Sequence, residues 1–236
     1  RIYNLDKVIG LGKLGCAIAE ELTAYPEYRI YKIDGDIDER GSLSIGEHGD
    51  MASFEANIDI DEVSVYLRSI KKKDQVLLIV EGGDPISGAT LKILETIKDV
   101  KLNVLYVCPD RQMISEIQKR DDKIAFNILQ EYARSGLFEN IILVDKLKVE
   151  ELAGHVPVNE YEKTISYFVA YVVAMINFFN HTKPVLANPI SPPEIARVIT
   201  YGVSSLEEDK KDINLLFNIE DVKDIHFFYG VPKEEL

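Results

Sequence analysis

The stretch VIGLGKLGCAIAEEL, residues 8–22, carries an apolar run into three glycines spaced G-x-G-x-x-G, at Gly10, Gly12 and Gly15, and then into good helix formers. This order predicts a strand, a tight turn and a helix start, with free backbone N–H groups at the turn. Such a turn can cradle a phosphate, because the helix start adds a partial positive charge to those amides. The same glycines also serve a plainer purpose, letting a helix lie close against its strand. Which purpose applies depends on what the rest of the chain places around the turn.

Outward from this stretch, apolar runs alternate with helical periods. Residues 6–12 read as the first strand and 14–25 as a helix stopped near Pro26. YRIYKID (28–34) alternates as a second strand, and 35–53 is a polar, glycine-rich loop. QVLLIVEGG (75–83) is a continuous apolar run ending in glycines, as expected of a strand buried on both faces. Further strands are expected at 102–109 and 140–146, and helices at 61–70, 87–98, 112–134 and about 160–181. Pro184 ends the last of these, NPISPPE (188–194) makes a loop, a helix at 192–201 follows, and 212–219 and 224–231 read as two strands. Strands alternating with helices through residue 146 predict an α/β fold, a doubly wound, mainly parallel sheet with helices on both faces. Such sheets bind ligands at the carboxyl ends of their strands. Those ends carry GLGKLG, IDGD, EGGDPISG and CPDRQ.

With 236 residues, 46% of them apolar and 28% charged, the composition is that of an ordinary globular protein. A net charge of −13 argues against nucleic acid or an anionic membrane surface as partner. The short run Lys71-Lys72-Lys73 reads as a solvated face. Cys16 and Cys108 lie in apolar contexts, which predicts packed, reduced thiols and a cytoplasmic setting. No signal peptide is read, and a start at Arg1 suggests a few trimmed residues. Residues 164–179 hold no charge but are shorter than the ~20 residues a membrane span needs, and Asn177 interrupts them. Ile165, Phe168, Val169, Val172, Val173, Ile176 and Phe179 follow helical spacing there, so a helix buried in protein is expected.

Two readings of the first turn compete. Asp34 or Asp36 follows the glycines by about 20 residues, where a ribose-binding acid would sit, so Gly10, Gly12, Gly15 and Asp34 form an NAD fingerprint. A hydride-transfer enzyme also wants a His, Lys or Tyr acid or base in a second domain. His48, His155, His181 and His226 show no such pairing.

The second reading rests on order. IGLGKLGCAIAEEL is similar to the first phosphate loop of the bacterial cell-division tubulin homologue FtsZ and of the tubulin superfamily. EGGDPISGAT sits where that family carries its GGGTGTG-type signature, and VCPDRQ resembles the next strand with its proline-bearing loop. KIAFNILQEYARSGLFENIILVDKL, TISYFVAYVVAMINFFNHTKP and HTKPVLANPISPPEIARVITYGVSS resemble, in order, a helix and strand, the central helix, and the loop and helix after it. The likeness is collinear over residues 6–205. It implies GTP or GDP, with Mg2+, held by Gly10, Gly12, Lys13, Gly15, Gly82, Gly83, Ser87, Gly88 and Pro109, with Asp34 shared with the dinucleotide reading. It also implies head-to-tail self-association, in which the loop after the central helix enters the next subunit's site and supplies catalytic acids.

The chain departs from the family where the chemistry lives. Asp84 stands at a glycine position of the signature, where its charge would repel phosphate, and Pro85 removes an N–H. In NPISPPE, Asn188 is kept, but Ile190 and Pro193 occupy the places of the two catalytic aspartates; Glu194 is adjacent, and Asp110 is a further acid for that role. Ser191 with the following prolines also reads simply as a helix cap. Val144 stands where the family has a guanine-contacting Asn, and Phe168 where its central helix offers an Asp. The loop at 35–50, with Gly46, Gly49 and Asp50, lies where the family senses the terminal phosphate and equally suits a mobile surface loop. The expectation is a divergent tubulin-like structural or assembly protein, cytoplasmic or virus-encoded, with weak or absent GTPase activity. The alternatives are an active filament-forming GTPase and an NAD-binding protein. Its parts would be a nucleotide-binding domain at 1–160, a central helix at 161–183 and a shortened C-terminal region at 184–236.

Overall fold

The structure, a computed structural model, describes residues 7–154, 156–185, 195–204 and 213–230. A seven-stranded, wholly parallel sheet organises it, built from β1 (Lys7–Leu11), β2 (Arg29–Asp34), β3 (Leu43–Ser44), β4 (Gln75–Glu81), β5 (Lys101–Cys108), β6 (Asn140–Asp145) and β7 (Val198–Thr200). Their order across the sheet is β3-β2-β1-β4-β5-β6-β7. The direction of winding therefore reverses between β1 and β4, where open α/β sheets leave a crevice. A separate antiparallel pair joins β8 (Gly202–Ser204) to β9 (Ile213–Leu215).

Helices cover both faces. One face carries α1 (Gly12–Glu21), α6 (Lys146–Ala153) and α7 (Tyr161–His181), and the other carries α2 (Met51–Asn57), α3 (Ile60–Tyr66), α4 (Thr90–Glu95) and α5 (Glu116–Arg134). The central strands serve both layers. Val76, Leu78 and Val80 of β4 join the α3–α4–α5 core, while Leu77 and Ile79 join the α1–α7 core. This is why residues 75–81 read as an unbroken apolar run rather than an alternating one.

Along α7, Ile165, Val169, Val172 and Val173 are buried against α1 and the sheet. Phe168 and Ile176 are partly buried beside them. The helix is not covered all round: Tyr167 and Tyr171 stack on each other and are exposed, as is Phe178. Asn177, the interruption in the apolar run, is buried and donates to the Tyr28 hydroxyl at 2.7 Å. Among the described residues no helix is long and apolar enough to cross a membrane.

Several boundaries differ from those expected. Residues 198–200 of the expected helix at 192–201 form β7, because the β-branched run Val198-Ile199-Thr200 completes the sheet beside β6 in the register Ile141↔Val198. The expected strand at 224–231 is not one over its described residues, which carry no ladder. The strand expected at 212–219 is confined to Ile213–Leu215. The loop at 35–53 contains β3 and the start of α2, whose Asp50 N-cap accepts from the Ser53 N–H at 2.8 Å. The helix expected from residue 112 begins at Glu116, where Ser115 and Gln118 form a reciprocal capping box. The helix expected at 14–25 begins at Gly12 and tightens to a 3-10 turn at Leu22–Ala24.

Backbone packs closely on backbone where α1 leaves β1. A Cβ on Gly15 would stand 2.5 Å from the Ile79 carbonyl oxygen of β4, and one on Gly10 would run into the Gly15 backbone. Neither neighbour is a flexible side chain. Gly15→Ala is therefore expected to cost roughly 2–4 kcal/mol of stability. Gly49→Ala, whose methyl meets nothing within 4 Å, serves as a silent control in the same urea titration.

Candidate functional site

Because every ladder of the main sheet is parallel, the carboxyl ends of its strands share one edge. Asp34 and Glu81 end their strands at that edge, and Gly12, the turn from Gly82 to Asp84, Pro109 and Lys146 follow theirs. Gly12 opens α1 with φ +76°, a conformation that L side chains rarely adopt. Leu11 at the N-cap supplies no side-chain cap and the first turn holds no acid, so no side chain of the cap or first turn satisfies the first N–H groups of α1.

The second turn brings in Asp84. Gly83, also at φ +76°, reverses the chain, and Asp84 Oδ1 then accepts from the Ile86 N–H at 3.2 Å, capping the short 3-10 helix Pro85–Ala89. The other oxygen, Oδ2, lies 2.9 Å from the place a Cβ on Gly12 would take. One carboxylate thus stands at both turns. Burial pushes its pKa up to about 6 against the pull of the Ile86 N–H, and Glu81, Asp34 and Glu47 add to the rise. Asp34 accepts from the Gly35 N–H at 2.8 Å; burial raises its pKa as well, with Asp36 adding.

A cavity of about 380 Å3 opens over these groups, lined by Lys13, Asp34, Asp36, Glu47, Asp84 and Ile86, with His48 set edge-on against Phe54 at 5.0 Å. A larger hollow, about 540 Å3, lies at the amino end of β2 between Arg29, Tyr31, Tyr66 and Arg68 and holds none of the residues expected to bind a ligand. The glycine turns converge on the smaller one.

The cations near this edge are engaged within the chain. Lys13 pairs with Glu162 of α7 at 2.9 Å, which holds its pKa up. Lys146 pairs with Glu81 at 2.8 Å, both largely buried, and lies 5.9 Å from the centre of the Tyr161 ring. Arg111 grips Asp122 Oδ2 through two donors at 2.9 and 3.2 Å, while Oδ1 accepts from the Tyr106 hydroxyl at 2.8 Å. An anion entering here meets acids and lysines that already have partners.

The remaining expected site residues separate into groups. Gly82 abuts Tyr106 and Asp122, and Gly88 abuts the backbone of Met51, so tight packing accounts for both. Ser87 is buried, and its hydroxyl has no hydrogen-bond partner among the described residues. Pro109 is buried. Val144 is fully buried beneath α7, with Phe168 packed against the same core. Asn188, Ile190, Ser191, Pro193 and Glu194 lie outside the described residues. Cys16 is packed under the first turn, its thiol toward the carbonyls of Gly10 and Ile33, and burial pushes it up to about 12, as it does Cys108. Both are free, unreactive thiols. Among the described residues no group of three His, Cys, Asp or Glu could hold a metal ion.

Sequence reasoning missed Glu162 as part of this edge, and it missed the pairing of Lys146 with Glu81. Nothing local marks Glu162 as the partner of Lys13, because the two meet only once α7 is laid beside α1.

The fold is similar to that of solved CetZ and FtsZ structures. The chain superposes on CetZ2 from Haloferax volcanii, solved as a protofilament with GTPγS bound, with a TM-score of 0.60 at 17% identity, over 73% of this chain and 57% of that one. It superposes on CetZ from Methanosaeta thermophila with a TM-score of 0.62 at 12% identity, over 77% and 56%. For an empty FtsZ dimer from M. jannaschii the values are 0.60 and 12%, over 77% and 56%. The chain thus spans little more than half the length of these proteins, and at such identity the likeness is one of fold. In sequence, 113 residues are 26% identical to GTPase Era of Clostridioides difficile, covering 47% of this chain and 36% of that protein. No family model matches.

The raised pKa of Asp84 carries a stability consequence. The folded state holds this proton more tightly than the unfolded chain, so its contribution falls as pH rises from about 4 to about 6. Asp84→Asn, which keeps an acceptor for Ile86, is expected to stabilise the protein by about 2 kcal/mol at pH 8. The gain should vanish below about pH 4 in denaturant titrations run across that range.

Proposed function

We propose that this chain is a tubulin-like assembly protein that self-associates head to tail and keeps a guanine-nucleotide cleft of low affinity, with little or no hydrolysis. The fold it shares with CetZ and FtsZ, known here as a protofilament and a dimer, supports assembly as the activity. The similarity to a GTPase over 113 residues supports a guanine nucleotide as the ligand.

The observation that carries the reading is the first turn. Gly12 at φ +76° starts a helix whose leading N–H groups have no side-chain cap and stand beside a cavity, the shape an anion needs. The charges around it argue for weak binding. Lys13 and Lys146 are held by Glu162 and Glu81, and Asp34, Asp36, Glu47 and Asp84 face the same space. Apolar Val144 and Phe168 replace the side chains that the family resemblance would direct at guanine. Hydrolysis is weak because Ile190 and Pro193 stand in place of the two catalytic aspartates, leaving Asn188 and Glu194 as the polar groups of that loop. Mg2+ would accompany the nucleotide, its charge offsetting that of the phosphates beside Asp34, Asp36 and Asp84.

Three measurements on one preparation test this. Ion exchange of the denatured supernatant reads bound GTP, GDP, ATP or NAD. Sedimentation with and without GTP reads filaments, and phosphate release reads hydrolysis. The expected result is substoichiometric guanine nucleotide, assembly and phosphate release near background. Stoichiometric NAD would overturn the guanine reading, and a monomer at every concentration would overturn assembly.

A further inference from the structure

Asp84 has no counterpart in a glycine-only phosphate loop, and its position is more specific than a stray surface acid. Its Oδ1 takes the Ile86 N–H, and its Oδ2 stands against Gly12 at the opening of α1. These are the backbone turns that a nucleotide's phosphates would bridge, at the ends of β1 and β4. The carboxylate is tied into the second turn through the Ile86 N–H, and its free oxygen puts a negative charge beside the opening of α1, where a phosphate would stand. We propose that Asp84 is a built-in occupant of the phosphate cradle, and that it must be displaced or neutralised before a nucleoside diphosphate or triphosphate can bind.

This inference rests on the nucleotide reading and adds what governs it. The groups around Asp84 define how it acts. Asp34, Asp36 and Glu47 face it from the end of β2 and the following loop, with His48 beside them, and Glu81 faces it from β4. The nearby cation is Lys13 of α1, which Glu162 already holds. Among the described residues the Ile86 N–H is the group that holds the Asp84 charge, so removing that charge changes the cradle more than removing any rim acid. Proton uptake by Asp84 has the same effect as substitution: the neutral carboxyl no longer repels a phosphate. Binding is therefore expected to strengthen as pH falls through about 6.

The test uses fluorescent mant-GDP titrated into the full chain at pH 8.0 and 5.5, comparing wild type with Asp84→Asn and with Asp36→Asn. Circular dichroism and a thermal melt establish that each variant is folded. The nucleotide's own phosphate titrates in this range, so the comparison between variants carries the result. Asp84→Asn should bind at least about tenfold more tightly than wild type at pH 8.0, and the gap should close at pH 5.5. Asp36→Asn should change affinity by less than about threefold. If wild type and Asp84→Asn bind equally well at both pH values, the gate is refuted while the nucleotide cleft stands. If no folded variant binds mant-GDP at either pH, the cleft reading falls and the gate with it. If Asp36→Asn matches Asp84→Asn, general acidity and not an occupied cradle sets affinity, and the proposal is overturned.

Discussion

The contact on which the rest of the molecule depends is that of backbone against backbone at Gly10, Gly15 and Ile79. A helix is normally held off its sheet by the side chains at the interface. Here α1 leaves β1 without side chains at two crossing points, so its first turn lies against β4 as well as its own strand. That brings the opening of α1 to the point where the winding of the sheet reverses. The turn after β4 then meets the turn after β1, and the cavity at the carboxyl edge is their common boundary. An added methyl at Gly15 would separate them, and the site would lose its shape along with its stability.

Shape and charge disagree at that edge. The backbone offers an uncapped helix start and a positive-φ turn, both suited to an anion. The side chains offer carboxylates. Each lysine in reach is drawn off by a glutamate, one across the α1–α7 seam and one across the ends of β4 and β6. The Lys146–Glu81 pair is largely buried and ties the ends of β4 and β6 together, whereas the exposed Lys13–Glu162 pair adds little net stability. The site therefore uses its cations as struts. The shape of this edge is set by what the sheet and α7 need for packing, while its charges are spent on pairs within the chain.

The α7 helix shows the same division. One side supplies most of the core on its face of the sheet, through Ile165, Val169, Val172 and Val173. The other side leaves the stacked pair Tyr167 and Tyr171 open to solvent. Asn177 is buried, and its amide nitrogen donates to Tyr28, which ties α7 to the segment leading into β2. The polar break in the apolar run is thus a structural bond.

Much of this was legible in the residues. The unbroken run at 75–81 announced a strand buried on both faces, and the order of strands and helices announced a parallel sheet. The G-x-G-x-x-G spacing located the tight turn, and Asp84 stood out as a charge in the glycine turn after β4. These features are local: periodicity, turn chemistry and a misplaced charge are all carried by neighbours in sequence. The chain could not say that 198–200 would be a strand, because β-branched residues become an edge strand only when β6 offers a free ladder. Nor could it say that Gly82 and Gly88 pack on Tyr106 and Met51, or that Lys13 and Lys146 are already paired. Those outcomes depend on which distant groups the fold brings within a few ångströms, and packing and Coulomb attraction act on that distance, not on separation along the chain.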